Sequence, residues 1–358
     1  MVRFNVPSLR GANAAEIEQA FVDRNNITIS RNALGGYLTE SVHGNDGVYR
    51  SHCLRPDQLG NKVETKRLFD EYFSTWHPLL PFLDGKAAFV YLNRLFDAKL
   101  ADASDAEALL ISAVISSIVG IGALGQTGVA ATDLPGFNSA RAATSTAYMI
   151  VDACDESLLN DIEAIQALVA ITLYLYATRK HRQASHLCGV IVSEFAARSV
   201  LISAELALES GLHRCPGRYP VLFASPTQSD MRKRLLYSIY VLDRLLALEL
   251  GSPTMLSDTD IDVCLPGATE KHGPIQVDPQ TIGNKRKRQS DAQPPLARST
   301  SYGSPFGTGS SVLGRGDGLS TEALRLRPAQ AMIRISTISG RLMDTFNKSR
   351  KYRASGRE

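Results

Sequence analysis

The chain has no C-x-x-C pair: its five cysteines, Cys53, Cys154, Cys188, Cys215 and Cys264, stand 101, 34, 27 and 49 residues apart. An odd, scattered set reads as buried thiols in a reducing compartment rather than a disulfide framework. H-E-x-x-H and G-x-S-x-G are also missing, and His181 and His186, five apart, fall on different faces of a helix. These absences leave no catalytic residue, metal ligand or cofactor to assign. The N-terminal residues MVRFNVPSLRGANAAEIEQAF contain no continuous apolar core of a secretory signal. Charge of one sign is scarce as well. A formal net charge of +3 over 358 residues excludes a nucleic-acid-binding surface spread over the whole molecule, so any such surface is local. Alternating runs of strand type are lacking throughout.

Helical periodicity dominates what is present. Residues 1–60 are rich in Gly, Asn, Ser and charge and read as a loosely ordered arm with one short helix near residues 14–22. From Lys62 the apolar positions return at helical spacing in KVETKRLFDEYFSTW. They continue in KAAFVYLNRLFDAKL, SDAEALLISAVISSIVGIGAL, NSARAATSTAYMIVDAC, DIEAIQALVAITLYLYAT and a stretch ending LISAELALESG. The expected fold is all-α: a large irregular multi-helix bundle over residues 61–270, flanked by the disordered arm. Residues 271–325 are rich in Ser, Gly and Pro and read as a disordered linker. Residues 326–358 carry a last amphipathic helix whose apolar face needs a partner in the core.

Two patterns invite a sharper reading. Residues 108–132 carry no charge, long enough for a membrane span, but Ser112, Ser116, Ser117, Gly120, Gly122 and Gly125 and the lack of a flanking basic cluster favour a buried helix of a soluble bundle. The same region contains G-x-G-x-x-G at Gly120, Gly122 and Gly125, with Asp152 downstream in the place of a ribose-binding acid. A nucleotide-dependent oxidoreductase is the enzymatic alternative that this pattern offers. Pro135 and Gly136 fall where the helix receiving the pyrophosphate should run, and no further βαβ unit follows, so helix packing is the preferred role for these glycines. His213 beside Cys215 suggests a thiol and its base, yet near neighbours along a chain rarely aim at each other.

Lys285, Arg286, Lys287 and Arg288 form the local basic block, placed inside the flexible linker, where an exposed set of positive charges suits a nuclear-import signal. The segment LLYSIYVLDRLLALELGSP (residues 235–253) is apolar almost all round and therefore expected to be buried. Thr227 with Asp230 resembles a capping box, which predicts a helix from about residue 228 to residue 250, stopped by Gly251 and Pro253. Arg232, Lys233 and Arg234 near its positive end are unfavourable by roughly 0.3–1 kcal/mol each and call for acidic partners or an anionic surface. Asp243 and Arg244 have no opposite charge three or four residues away, so each needs a partner on another element or on free backbone. The expectation is a registry clamp between helices, with the turn Gly211, Leu212, His213, Arg214 as candidate neighbour; a catalytic aspartate is the rival.

The order GLHR (211–214), MRKRLLYSIYVLDR (231–244), GSP (251–253) and DTDIDVCLP (258–266), preceded by LFDEYFSTWHPLLPFLD (68–84), resembles the middle homology region of fungal zinc-cluster transcription factors. Gly251, Pro253, Asp260 and Pro266 are structural positions of that pattern, and Tyr237 stands where the family often has Trp. The resemblance implies an all-helical regulatory domain in a nuclear, non-enzymatic protein that controls transcription. It also implies homo- or heterodimerisation, contact with co-regulators or the transcription machinery, and a small-molecule inducer as ligand. Family members carry an N-terminal zinc cluster with six cysteines and a coiled coil, and neither pattern occurs in this sequence. Zinc would then belong only to that missing module and DNA contact would be indirect, or the chain is a piece of a longer product. An interaction scaffold without regulatory output is the third reading. Between HLCG and AELALESGLHR about a dozen residues exceed the family spacing, so a loop, or a misplaced exon boundary, is expected there. A domain cut short at residue 358 is expected to expose apolar surface and to be marginally stable.

Overall fold

Helix starts are set by side chains that the sequence supplies. In the computed structural model, residues 61–97, 103–125, 135–155, 161–201, 212–218, 225–273 and 321–355 are described, together with Tyr49, Cys53 and Leu59 singly. The chain divides into residues 1–46 and Gly47–Glu358, and all the described residues belong to the second unit. The Asn61 side chain accepts from the Glu64 amide and starts α1, Lys62–Thr75. Asp84 accepts from Lys86 and Ala87 and starts α2, Gly85–Phe96, while Ser104 caps α3, Asp105–Ala123. Each satisfies amides that have no intrahelical acceptor. Next come α4, Ala140–Asp155, α5, Asp161–Ala177, α6, His181–Leu201, and α7, Pro226–Leu250. A short α8, Thr321–Arg325, precedes α9, Arg327–Ser355. No strand occurs among the described residues; one isolated parallel bridge joins Arg214 and Asp262.

Helix α3 is buried on every side and packs against α1, α2, α4 and α5. That is where a helix with no charge after Glu107 finds its solvent: other helices. It is long and apolar enough to cross a membrane by composition, but 94% of its apolar window is covered by protein. Its glycines serve that contact. A Cβ on Gly122 would lie 2.0 Å from the Leu68 carbonyl oxygen, so α1 and α3 touch backbone to backbone there. Helix α5 is the second central rod, against α3, α4, α6 and α7. Helix α9 lays Ala329 and Ile333 on α7, which supplies the partner its apolar face requires. Ile335, Ile338, Leu342 and Phe346 on α9 are more than half exposed.

Two local expectations are corrected. The start of α7 is set by Ser225, whose hydroxyl accepts from the Gln228 amide with Pro226 at the first helical position, not by Thr227. Proline presets φ and loses nothing by lacking an N–H there, so the helix begins about two residues earlier than the capping-box reading. The loop expected within residues 190–203 is helical up to Leu201 as part of α6. That stretch holds no Pro and, after Gly189, no Gly to stop it. Residues 202–211, including Gly211, and the basic block 285–288 lie outside the described residues.

The turn after α1 contains His77, Pro78, Pro81 and Phe82 and is clamped from α7. Arg234 donates to the carbonyls of Pro81 (2.8 Å) and Leu83 (3.0 Å), and His77 Nε2 meets the same Leu83 carbonyl at 3.1 Å. Burial pushes the His77 imidazole down to about 4, with Arg234 adding to the shift and the Leu83 carbonyl and Asp84 opposing it. The unfolded chain therefore binds a proton at His77 that the folded chain refuses between pH 6.5 and about 4. Its contribution is fully present above about pH 6.5 and falls by ~3 kcal/mol as pH drops through that window. Denaturant titrations at pH 7.5 and 4.5 should show this loss in the native chain and a smaller one in His77→Gln; equal losses would remove His77 as the cause.

Candidate functional site

The chain leaving α7 turns at Gly251, whose φ of 62° suits glycine, and runs back along the helix as a strap, residues 252–272. One face of α7 holds it, turn by turn, through Asp243, Tyr240, Tyr237 and Lys233. The Asp243 carboxylate accepts from the amides of Met255 (3.0 Å) and Leu256 (3.1 Å). The Tyr240 hydroxyl donates to Asp258 at 2.8 Å, and Tyr237 donates to the Val263 carbonyl at 2.6 Å. Lys233 pairs with Glu270 at the far end. Steps of three, three and four residues keep these donors and acceptors on one helical face.

Asp243 and Arg244 are 1% and 2% exposed. Arg244 bonds Asp243 (2.8 Å), Asp258 (2.9 Å) and the Leu256 carbonyl (2.7 Å), and its guanidinium lies 3.5 Å from the centre of the Tyr240 ring. Burial pushes the Asp243 carboxyl up, while the Met255 and Leu256 amides and Arg244 pull it back. The partner is thus the strap rather than the GLHR turn expected from sequence. The physical reason is the chain reversal at Gly251, which presents two free amides within reach of a carboxylate on the last turns of the helix. Thr337 of α9 meets the Tyr240 hydroxyl at 3.0 Å, so the cluster also touches the last helix. With both carboxylate oxygens occupied and no solvent access, Asp243 is a structural ion, not a base facing a substrate.

Leu212, His213 and Arg214 sit beside the strap's second half: the Asp262 amide donates to the His213 carbonyl at 3.0 Å, and Arg218 pairs with the Asp262 carboxylate at 2.6 Å. Arg232 is buried, Arg234 holds the proline turn and lies 3.6 Å from Asp230, and Pro253 and Asp260 are exposed on the strap. Pro266 is buried, and its carbonyl accepts from Gln330 of α9 at 2.8 Å.

Cys215 and Cys264 meet at the end of the strap, a pairing that their separation of 49 residues hides in the sequence. Their thiols reach Glu270 Oε1 at 3.0 and 2.8 Å, and His272 Nδ1 lies 3.4 Å from Cys264 Sγ. The histidine beside Cys215 is therefore His272 and not its chain neighbour His213. A hydrogen bond from Cys264 holds the Cys215 thiol down at about 6, and the same contact pushes Cys264 up. Burial raises the Glu270 carboxyl, but the two thiols and the Lys233 ammonium outweigh it and hold it at about 2.

The oxidoreductase alternative fails on geometry. Gly120 and Gly122 lie in the last turns of α3, so the G-x-G-x-x-G ends a helix where a nucleotide fold needs it to begin one. Gly120 faces the Tyr174 ring and Gly122 the backbone of α1.

Among the described residues the fold is an all-helical bundle, and its signature residues serve internal clamps. The family model for the fungal specific transcription factor domain matches residues 69–355, and the chain belongs to that family. It is 31% identical over 231 residues to "Probable transcription factor FUP6" of Fusarium proliferatum, covering 62% of this chain and 30% of that protein. It is 34% identical over 107 residues to "Activator of stress genes 1" of Saccharomyces cerevisiae, covering 30% and 10%. It is 24% identical over 209 residues to "Transcriptional activator protein acu-15" of Neurospora crassa, covering 58% and 20%. The chain spans less than a third of the length of these relatives. No solved structure matches it.

Proposed function

We propose that this chain is the regulatory domain of a nuclear transcription regulator, acting through contacts with other proteins rather than through a catalytic centre or its own DNA-reading surface. The observation that carries the reading is the family match over residues 69–355, whose motif residues hold the strap on α7. Self-association, co-regulators and a small-molecule inducer are the partners that such a domain would engage, with DNA reached through another module. Nuclear import through Lys285, Arg286, Lys287 and Arg288 completes the proposal.

Tethering the chain to a foreign DNA-binding domain should change the output of a reporter, upward or downward, and Asp243→Ala should abolish the change. An inert tethered chain that is folded and present in the nucleus would count against regulation and leave only a scaffold. A fluorescently tagged chain should accumulate in nuclei and disperse when the four basic residues are replaced by alanine; nuclear accumulation untouched by that replacement would sink the import signal.

A further inference from the structure

We propose that Cys215, Cys264, Glu270 and His272 form a structural zinc site that locks the end of the strap to the turn at residues 212–218. One ligand atom from each, two sulfurs, one imidazole nitrogen and one carboxylate oxygen, all lie within 4.8 Å of one another. A tetrahedral ion with bonds of about 2.0–2.3 Å places its donors roughly 3.3–3.8 Å apart. Two observed separations fall in that range, 3.4 Å from Cys264 Sγ to His272 Nδ1 and 3.8 Å from His272 Nδ1 to Glu270 Oε1. The thiol contacts to Glu270 Oε1, 3.0 and 2.8 Å, are hydrogen bonds that would open by a few tenths of an ångström around an ion.

The surroundings are those of a ligand set. His272 Nε2 lies 3.2 Å from Asp262 Oδ1, a contact that suits the Nε2–H tautomer, in which the Nδ1 lone pair faces Cys264 Sγ. Asp262 is in turn held by Arg218. A carboxylate behind a histidine is the usual outer partner of a metal-bound imidazole. Glu270 gives Oε1 to the cluster and Oε2 to Lys233. With two thiolates, one carboxylate and a neutral imidazole around a divalent ion, the centre carries one negative charge, and the Lys233 ammonium neutralises it.

The donor chemistry selects the metal. Two thiolates disfavour magnesium and calcium, two cysteines are too few for an all-cysteine iron–sulfur cluster, and the mixed sulfur, nitrogen and oxygen set suits zinc. A simple disulfide would explain neither the imidazole nor the carboxylate aimed at the same point. Four protein donors fill the tetrahedral positions, the two sulfurs buried at 0% and 6% exposure and Glu270 and His272 at the solvent edge, and a full set of protein ligands marks a structural rather than a catalytic site. On binding, each thiol gives its proton to solvent and each sulfur donates its electron pair to the ion, with no change of oxidation state. This inference does not rest on the transcriptional reading.

The test uses the full chain purified under reducing conditions. Elemental analysis should find one zinc per chain. Cobalt loading should give an intense thiolate-to-cobalt charge-transfer band. Cys215→Ser with Cys264→Ser should lose both signals, Cys154→Ser should keep them, and Asp262→Asn should weaken zinc affinity by about 10–100-fold. Should the double variant not fold, the cobalt spectrum of the native chain and zinc competition against it decide the matter alone. Failure of the native chain to take up zinc or cobalt on titration, metal retained at full stoichiometry by a folded double variant, or a Cys215–Cys264 disulfide that persists under reducing conditions would each overturn the proposal.

Discussion

Asp243→Ala is expected to destabilise the chain by about 3–5 kcal/mol, a large share of the roughly 5–15 kcal/mol that holds a domain together. The loss has two parts. Arg244, 2% exposed, would keep only Asp258 as a counter-ion, and the amides of Met255 and Leu256 would lose their acceptor where the chain turns back. A buried donor without a partner costs ~1–3 kcal/mol, and a buried ion left under-compensated costs more. Denaturant unfolding should show a large fall in midpoint, and hydrogen exchange should speed up first at residues 255 and 256. Asp243→Leu combined with Arg244→Met should recover part of the loss, because removing both ions leaves neither orphaned. A midpoint unchanged by Asp243→Ala would mean that the strap is held without the clamp.

Gly122→Ala is the second large effect, and the balance of two magnitudes decides its sign. Alanine is a better helix former than glycine by ~1 kcal/mol, so at an open position the exchange would stabilise α3. Here the added Cβ would lie 2.0 Å from the Leu68 carbonyl oxygen and 2.8 Å from its carbon, and backbone cannot rotate out of the way. Helices α1 and α3 would have to separate, and overpacking of this kind costs ~1–3 kcal/mol or more. The net expectation is a loss of about 2 kcal/mol. Gly120→Ala should cost less, since its Cβ meets mainly the Tyr174 ring, at 2.7 Å, which can shift. Equal or greater stability of Gly122→Ala in chemical denaturation would refute the close approach.

The helical class was legible from the first pass because apolar spacing is a local property, and α1 to α5 follow it closely. The start of α7 was misplaced because Thr227 and Asp230 offer a capping pattern that competes with the Ser225–Pro226 pair two residues earlier. The clamp was half visible. An aspartate and an arginine in an apolar helix had to find partners, yet their identity depended on where the chain went after Gly251, and neither ion carries that information. The cysteine cluster left no local trace, and only the DTDIDVCLP segment returning beside GLHRC hints that Cys264 and Cys215 approach.

What the sequence by itself determined is the set of rods, their apolar faces, the glycines at close contacts and the family to which the order of motifs belongs. Periodicity, capping and composition act over a few residues and need no knowledge of the rest of the chain. What only the tertiary structure decided is which distant groups share a point in space. The strap's return along α7 brings Asp243 to Met255, Lys233 to Glu270 and Cys215 to Cys264. Those pairings follow from one chain reversal and the packing of helices around it, a global solution to burying apolar surface that no window of the sequence contains.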